Sequence, residues 1–420
     1  MKTNPRIKTL AVIVSIILLI PISKSWYSFL ARTIFYDELL EYKILTDSTA
    51  AVSKCRFSEI ENISIPEKVR IKGHVYTVTS IGFSAFSDCR NLTDIKIPAC
   101  VTSIEGMAFY GCSKLANIEV PANVTKIEGF AFSGCTCLTS IIIPPSVTSI
   151  GESVFEGCSN LTNIKILGTT SIGNSAFENC SGLTNIEIAA TVESIGCSAF
   201  KGCSNLTIIK IPVSVVSIGE SAFEECSNLT RIKIPASVEC IGESAFKSCS
   251  HLTNIEIPAS VKSIENSVFC NCSNLASVKI PTSVIYIGNS AFENCFNLTN
   301  IKIPANTTFI GDKVFKECSH LTNIEIPSGV TSIGNAIFYN CTRLTSIKIP
   351  ATVKNIEAFA FCECTKLTNI EIPKSVTNIE YSAFAGCNNL DVVIDNSKDD
   401  VVVGEDAFRG CKSVRYTINP

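Results

Sequence analysis

Residues 161–180 read Leu161-Thr162-Asn163-Ile164-Lys165-Ile166, then a four-residue link, then Ser171-Ile172-Gly173-Asn174-Ser175-Ala176-Phe177-Glu178-Asn179-Cys180. The same phrase recurs from Ile81 almost to the C-terminus. Phe86, Phe109, Phe132 and Phe155 are 23 residues apart, Phe177 follows after 22, the spacing returns to 23 through Phe384, and Phe408 arrives after 24. A cysteine stands three residues behind each Phe, from Cys89 to Cys411, which makes fifteen units in phase. A fixed period in the twenties marks a solenoid, in which one unit cannot bury its apolar face until a neighbour stacks on it. A chain of 420 residues would otherwise suggest two or three domains.

Periodicity within the unit predicts its local structure. In Leu252-Thr253-Asn254-Ile255-Glu256-Ile257-Pro258 the isoleucines alternate with polar residues, which predicts a short strand with its apolar side inward. Pro258 ends it, because proline cannot donate to a ladder. Val261 and Ile264 point inward with Lys262 and Ser263 outward, a second brief extended piece. The following Glu243-Ser244-Ala245-Phe246-Lys247-Ser248-Cys249 type of segment predicts a helical turn whose Ala and Phe plug the core. The residue before that segment is Gly in ten units and Glu in five (Glu105, Glu128, Glu265, Glu357, Glu380), so it does not strictly require positive φ. A carboxylate at a helix N-terminus is favourable by about 0.3–1 kcal/mol, so a helix start is expected there.

The ends differ from the middle. In residues 1–25, Lys2, Arg6 and Lys8 precede an apolar run from Leu10 to Ile22, followed by Ser23-Lys24-Ser25. The run is shorter than the roughly 20 residues of a membrane span and fits the h-region of a secretory signal. An uncleaved signal anchor is the alternative, supported by Trp26, Tyr27, Phe29 and Leu30. Either reading places the repeats outside the cytoplasm, secreted or at the cell surface. Residues 26–78 read as a β-rich N-terminal cap, with strands expected at 41–45, 50–55 and 74–79 and an early repeat-like stretch from Ile60 to Pro66. Solenoids need such caps to cover their end edges. The repeat solenoid proper is expected over 79–394. Over 395–420 an irregular last repeat and cap is expected, with the strand register slipping so that Asp395 falls where an inward Ile belongs.

Composition narrows function. Hydrophobic residues make up 46% and charged residues 17%, with a net charge of −3. No basic block offers the counterion release that nucleic-acid binding needs. The 22 cysteines would suggest disulfides in an exported protein. Fifteen of them, one per turn at a spacing of about 4.8 Å, more naturally form a column of buried thiols. The other seven (Cys55, Cys100, Cys137, Cys197, Cys240, Cys270, Cys362) break the pattern and read as occasional disulfides or simple thiols. His251 and His320 repeat one position three turns apart and His74 lies in the cap. No nucleophile–base grouping, phosphate loop or metal spacing appears, so neither catalysis nor a cofactor is expected.

The unit Asn160-Leu161-Thr162…Ile218-Gly219-Glu220-Ser221-Ala222-Phe223…Cys226 resembles the BspA-like leucine-rich repeat family, also called the Treponema pallidum-type class. The likeness runs from Ile60 to about Arg415, and the lead-in Tyr42-Lys43-Ile44 with Gly73-His74-Val75-Tyr76-Thr77-Val78 resembles the family's usual N-terminal segment. The resemblance implies an α/β repeat solenoid, a right-handed superhelix with a parallel sheet on its concave face. It further implies a secreted or cell-surface protein that adheres to matrix proteins or cells, with no catalytic residues to carry over.

The strand's outward positions are where a partner would bind. One column runs Lys165, Glu187, Lys210, Lys233, Glu256, Lys279, Lys302, Glu325 through the middle of the chain. Opposite charges on adjacent strands contribute about 0.2–1 kcal/mol each and like charges cost, so alternation also serves to keep a sheet soluble and in register. Lys210/Lys233 and Lys279/Lys302 are the like-charged neighbours, leaving two basic spots. Ile142 and, in the parallel column with Arg231, Ile208 are apolar exceptions, either ligand anchors or drift. A broad, polar face suits a protein partner, matrix or cell-surface, or a glycan, better than a small molecule. The membrane would be touched only through an uncleaved N-terminal segment. The alternative is a structural component that associates with itself and has no specific ligand.

Overall fold

A computed structural model describes residues 39–418 of the chain; the signal-like segment at 1–25 lies outside the described residues. The lead-in strands are β1 (Leu40–Ile44), β2 (Thr49–Cys55), β3 (Asn62–Ser64), β4 (Lys68–Ile71) and β5 (His74–Ile81). β1 pairs antiparallel with β2, β2 parallel with β5, and β4 and β5 form a hairpin. Lys72 and Gly73 at its tip both have positive φ, 50° and 90°, as a type I′ turn requires. β3 is the repeat-like stretch recognised from sequence, and it starts the main ladder by pairing with Asp94–Lys96.

From there the chain is a β-solenoid of parallel ladders. Pairs such as Asn254↔Ser277, Ile255↔Val278 and Glu256↔Lys279 join residues one repeat apart. A second, narrower ladder runs beside the first, as in Ser194↔Ser217 and Ile195↔Ile218. Each ladder is interrupted, so the main one falls into segments of three, three, two and eight strands rather than one unbroken sheet. The core between them is a set of columns. Fourteen consecutive Phe pairs stack with ring centroids 5.0–5.8 Å apart and planes within 18°. Such contacts add about 0.5–1.5 kcal/mol to the area each ring buries.

The expected helical turns are absent; among the described residues the only helical element is a one-turn 3-10 helix at Lys398–Asp400. The reason lies in two left-handed residues per unit, such as Ser221 (φ 52°) and Glu225 (φ 61°) around Phe223. Consecutive right-handed φ values are what an α-helix needs, and a left-handed residue breaks them. Backbone donors divide instead between two partners. Ala222, Glu224 and Cys226 close turns onto the carbonyls of Gly219, Ser221 and Phe223, while Ser221, Phe223 and Glu225 reach across to Glu243, Ala245 and Lys247 of the next unit. The fold is therefore all-β with tight turns, not α/β.

The residue before each such segment is not left-handed, as expected, but its Glu does not start a helix. The Glu105 carboxylate accepts from Phe83 N–H at 3.0 Å and from Ser80 Oγ at 2.8 Å, and Glu128 and Glu380 accept from Gly106 and Ala358 N–H at 3.0 and 3.1 Å. These three carboxylates each close a backbone donor in a neighbouring unit, while Glu265 and Glu357 accept from Ser263 and Ser332 Oγ. Where Gly stands, space is short: a Cβ on Gly173 would lie 2.5 Å from the Gly151 carbonyl oxygen.

The C-terminal register does not slip. Asn369↔Asp391, Ile370↔Val392, Glu371↔Val393 and Ile372↔Ile394 stay paired, so Val392 and Ile394 point inward and Asp395 falls beyond the strand. One residue is missing ahead of this strand and two are added after it around Lys398–Asp400, so counting from Phe to Phe hid both changes. A further strand, Ser413–Tyr416, pairs with Asp391–Ile394. This end is less polar than expected, with Val402 at 69% exposure.

Candidate interaction surface

The outward residues of the main ladder alternate with a buried one along each strand, as in Ile208–Lys210, Arg231–Lys233 and Asn254–Glu256. Lys165, Glu187, Ile208, Lys210, Arg231, Lys233, Glu256, Lys279, Lys302 and Glu325 are all exposed on this face. The structure thus brings the ten residues singled out from sequence onto the outward face of the main ladder, across three of its four segments.

Charge pairing divides that surface. Lys165 Nζ lies 3.6 Å from Glu187, and Lys279 bonds Glu256. Lys210 and Lys233 lie opposite one another in adjacent strands, as do Ile208 and Arg231. Their acidic neighbours, Glu187 and Glu256, are already engaged outward. Lys210, Arg231 and Lys233 therefore make no ion pair among the described residues. Exposed Ile208 (63%) and Val213 (82%) belong to the same unit. Ile208, Lys210, Arg231, Lys233 and Asn254 border an open depression of about 510 Å³. The second basic spot expected, Lys279/Lys302, is reduced because Lys279 turns to Glu256.

Like charges directly opposite destabilise a sheet. The Lys210–Arg231–Lys233 group is thus a local cost that the neighbouring Lys165–Glu187 and Glu256–Lys279 pairs avoid. Its open shape offers area and charge, with no enclosed pocket in which chemistry could be shielded from water.

The cysteine column forms as expected. Cys226 is fully buried and its thiol bonds the Phe200 carbonyl at 3.1 Å, and burial pushes the Cys249 and Cys295 thiols up. Of the irregular cysteines, Cys197 and Cys240 are exposed, Cys100 and Cys137 half-buried, and Cys270 and Cys362 buried. His251 and His320 each place Nδ1 against the carbonyl of a residue in the preceding turn, Ser227 at 2.7 Å and Phe296 at 2.8 Å. Among the described residues no group of three or more His, Cys, Asp or Glu could hold a metal ion. No described helix is long and apolar enough to cross a membrane.

Two features were missed from sequence. Tyr286 and Phe309 stack at 4.9 Å on the narrower ladder, beside exposed Ile285, where most turns carry Ser. That break in the Ser column was readable. Glu224, nearly buried, bridges Lys201 at 3.1 Å and Lys247 at 3.0 Å across three turns; a column taken one residue after each Phe would have shown it.

The sequence matches the family described as BspA type leucine rich repeat region over residues 57–184, 170–299 and 285–415. A leucine-rich repeat protein from Bacteroides ovatus is 33% identical, with 92% of this chain and all of that one covered and a TM-score of 0.80. A leucine-rich cell surface protein from Faecalibacterium prausnitzii is 31% identical over 87% of this chain and 96% of its own, with a TM-score of 0.56. No curated protein matches the sequence. With the repeat, the parallel ladders and these matches in agreement, the chain belongs to the BspA-type leucine-rich repeat family.

Proposed function

We propose that the protein is an exported or surface-displayed recognition protein, not an enzyme, and that it binds a macromolecular partner through the outward face of the main ladder. The observation that carries this reading is the Lys210–Arg231–Lys233 group with Ile208 beside it. Three cations remain without carboxylate partners on a face where neighbouring strands close theirs. Such a group favours a protein bearing an acidic, partly apolar surface, because complementary charge speeds encounter and disfavours wrong partners. The cell-surface description of the Faecalibacterium prausnitzii relative agrees with display outside the cell.

The test is binding of the purified protein to a panel of matrix and cell-surface proteins and glycans, repeated with Lys210→Glu, Arg231→Glu and Lys233→Glu combined. Loss of binding in the variant, with wild-type binding weakening as salt rises, is expected. Unchanged binding rejects this face as the contact surface. Selective retention of an anionic glycan would replace the protein partner by a polysaccharide. Concentration-dependent assembly of the pure protein without ligand would replace the reading by a self-associating structural role.

A further inference from the structure

We propose that Cys55 and Cys89 join in a disulfide that clasps the N-terminal strands onto the first turn of the solenoid. Fourteen of the fifteen column cysteines give their S–H to the carbonyl of a Phe in the preceding turn, at 3.0–3.4 Å. Cys89 is the one that does not, because no Phe-bearing turn precedes it. Cys55 occupies the place that such a Phe would take. Its N–H bonds the Ala85 carbonyl at 2.6 Å, just as Phe86 N–H bonds Ala108 at 2.8 Å.

Cys89 holds the column place whose thiol lies against the Phe position of the preceding turn, which brings the two side chains together there, both buried, with relative exposures of 8% and 3%; the Cys55 thiol also reaches the Phe57 carbonyl at 3.4 Å. Cys55 also ends β2, the strand that β1 and β5 flank on either side. A bond between the sulfurs would tie this whole sheet to the Phe and Cys columns. Elsewhere in the column each S–H is held by a carbonyl, which keeps neighbouring sulfurs apart as thiols.

The chemistry is thiol–disulfide exchange with a small-molecule or protein disulfide. One Sγ–Sγ bond forms and two S–H bonds break, and the donor disulfide accepts two electrons and two protons to become two thiols. Exchange proceeds through a thiolate. The hydrogen bond with Cys55, followed by burial, pushes the Cys89 thiol well above its ordinary value in the folded molecule. The bond therefore forms while the N-terminal strands are still docking, and persists once they are closed.

The test uses the full chain refolded with oxidised and reduced glutathione, alkylated, digested and mapped by mass spectrometry without reduction. The expected result is one linked peptide pair, Cys55 with Cys89, and alkylated cysteines elsewhere in the column. Tryptic cleavage at Lys54 and Arg56 should then be slowed at least about tenfold relative to a Cys55→Ser protein. Alkylation of both Cys55 and Cys89, or either one bonded to a different cysteine, overturns the proposal. If Cys55→Ser lowers the circular dichroism signal, the peptide map of the unaltered chain decides alone.

Discussion

Replacing Thr169 by Val should stabilise the protein. Position 169 belongs to an inward column occupied in twelve other turns by a buried valine, among them Val147, Val192 and Val215. Thr169 is fully buried, and its hydroxyl has no hydrogen-bond partner. A buried hydroxyl left unsatisfied costs about 1–3 kcal/mol, and a methyl group of the same shape removes that cost. Thr307 provides the control. It takes the same column position, equally buried, but its hydroxyl bonds the Val284 carbonyl at 3.0 Å. That bond contributes about 0.5–1.5 kcal/mol net, so Thr307→Val should be neutral or destabilising by about 1 kcal/mol. Urea unfolding followed by circular dichroism measures both midpoints. Because a solenoid's stability is nearly a sum over neighbouring turns, native-state hydrogen exchange should show the gain concentrated at amides such as Thr170 and Glu193, which bond across this region. A Thr169→Val protein with an unchanged or lower midpoint, or a Thr307→Val protein that gains as much, refutes the reasoning.

Phe223→Ala, which opens the stacked column between Phe200 and Phe246, should cost about 3–5 kcal/mol in the same urea assay. Maleimide applied to the native protein should label exposed Cys197 and Cys240 at least about tenfold faster than the buried column cysteines, read by mass spectrometry. Glu224→Gln should destabilise by about 1 kcal/mol, since it leaves Lys201 and Lys247 without their shared carboxylate. Burial raises the Glu224 pKa, but bonds from Lys247, Lys201 and Ser221 outweigh it and hold the carboxyl below its ordinary value of 4.5. A lowered folded pKa gives stability that is present above 4.5 and lost as pH falls through the folded value. The gap between wild type and variant should therefore be constant near neutrality and close in acid, which a urea series at several pH values would show.

The solenoid was legible because every packing contact repeats. One Phe and one Cys per turn announce two columns, and Ile–x–Ile announces the ladder between them. The turns were misread for a definite reason. Phe and Cys three residues apart fit a helix as well as a chain of tight turns. The deciding signal was the run of Ser, Asn, Asp and Gly at the two left-handed positions, such as Ser175 and Asn179. At the C-terminus, one deletion and two added residues nearly cancelled in the Phe count, so the preserved pairing of Val392 and Ile394 was hidden. On the surface, the Lys/Glu columns could be written down from spacing alone. Spacing could not say that Lys279 turns to Glu256 and leaves Lys302 apart, because that depends on side-chain rotamers. Nor does the period show the orphaned Thr169 hydroxyl, since Thr307 in the same column finds an acceptor.

The shared backbone bonds of the tight turns have a mechanical consequence. Each unit is laced to the next along its strands, its turns and its thiol, yet no unit touches one several turns away. A pull between the two ends would load these laces in series, and the outermost turn would give way before any other. Each release would pay out 23 residues, roughly 70 Å of slack at the reach of an extended chain. A tether built this way lengthens in equal steps while the coils that remain wound keep their shape.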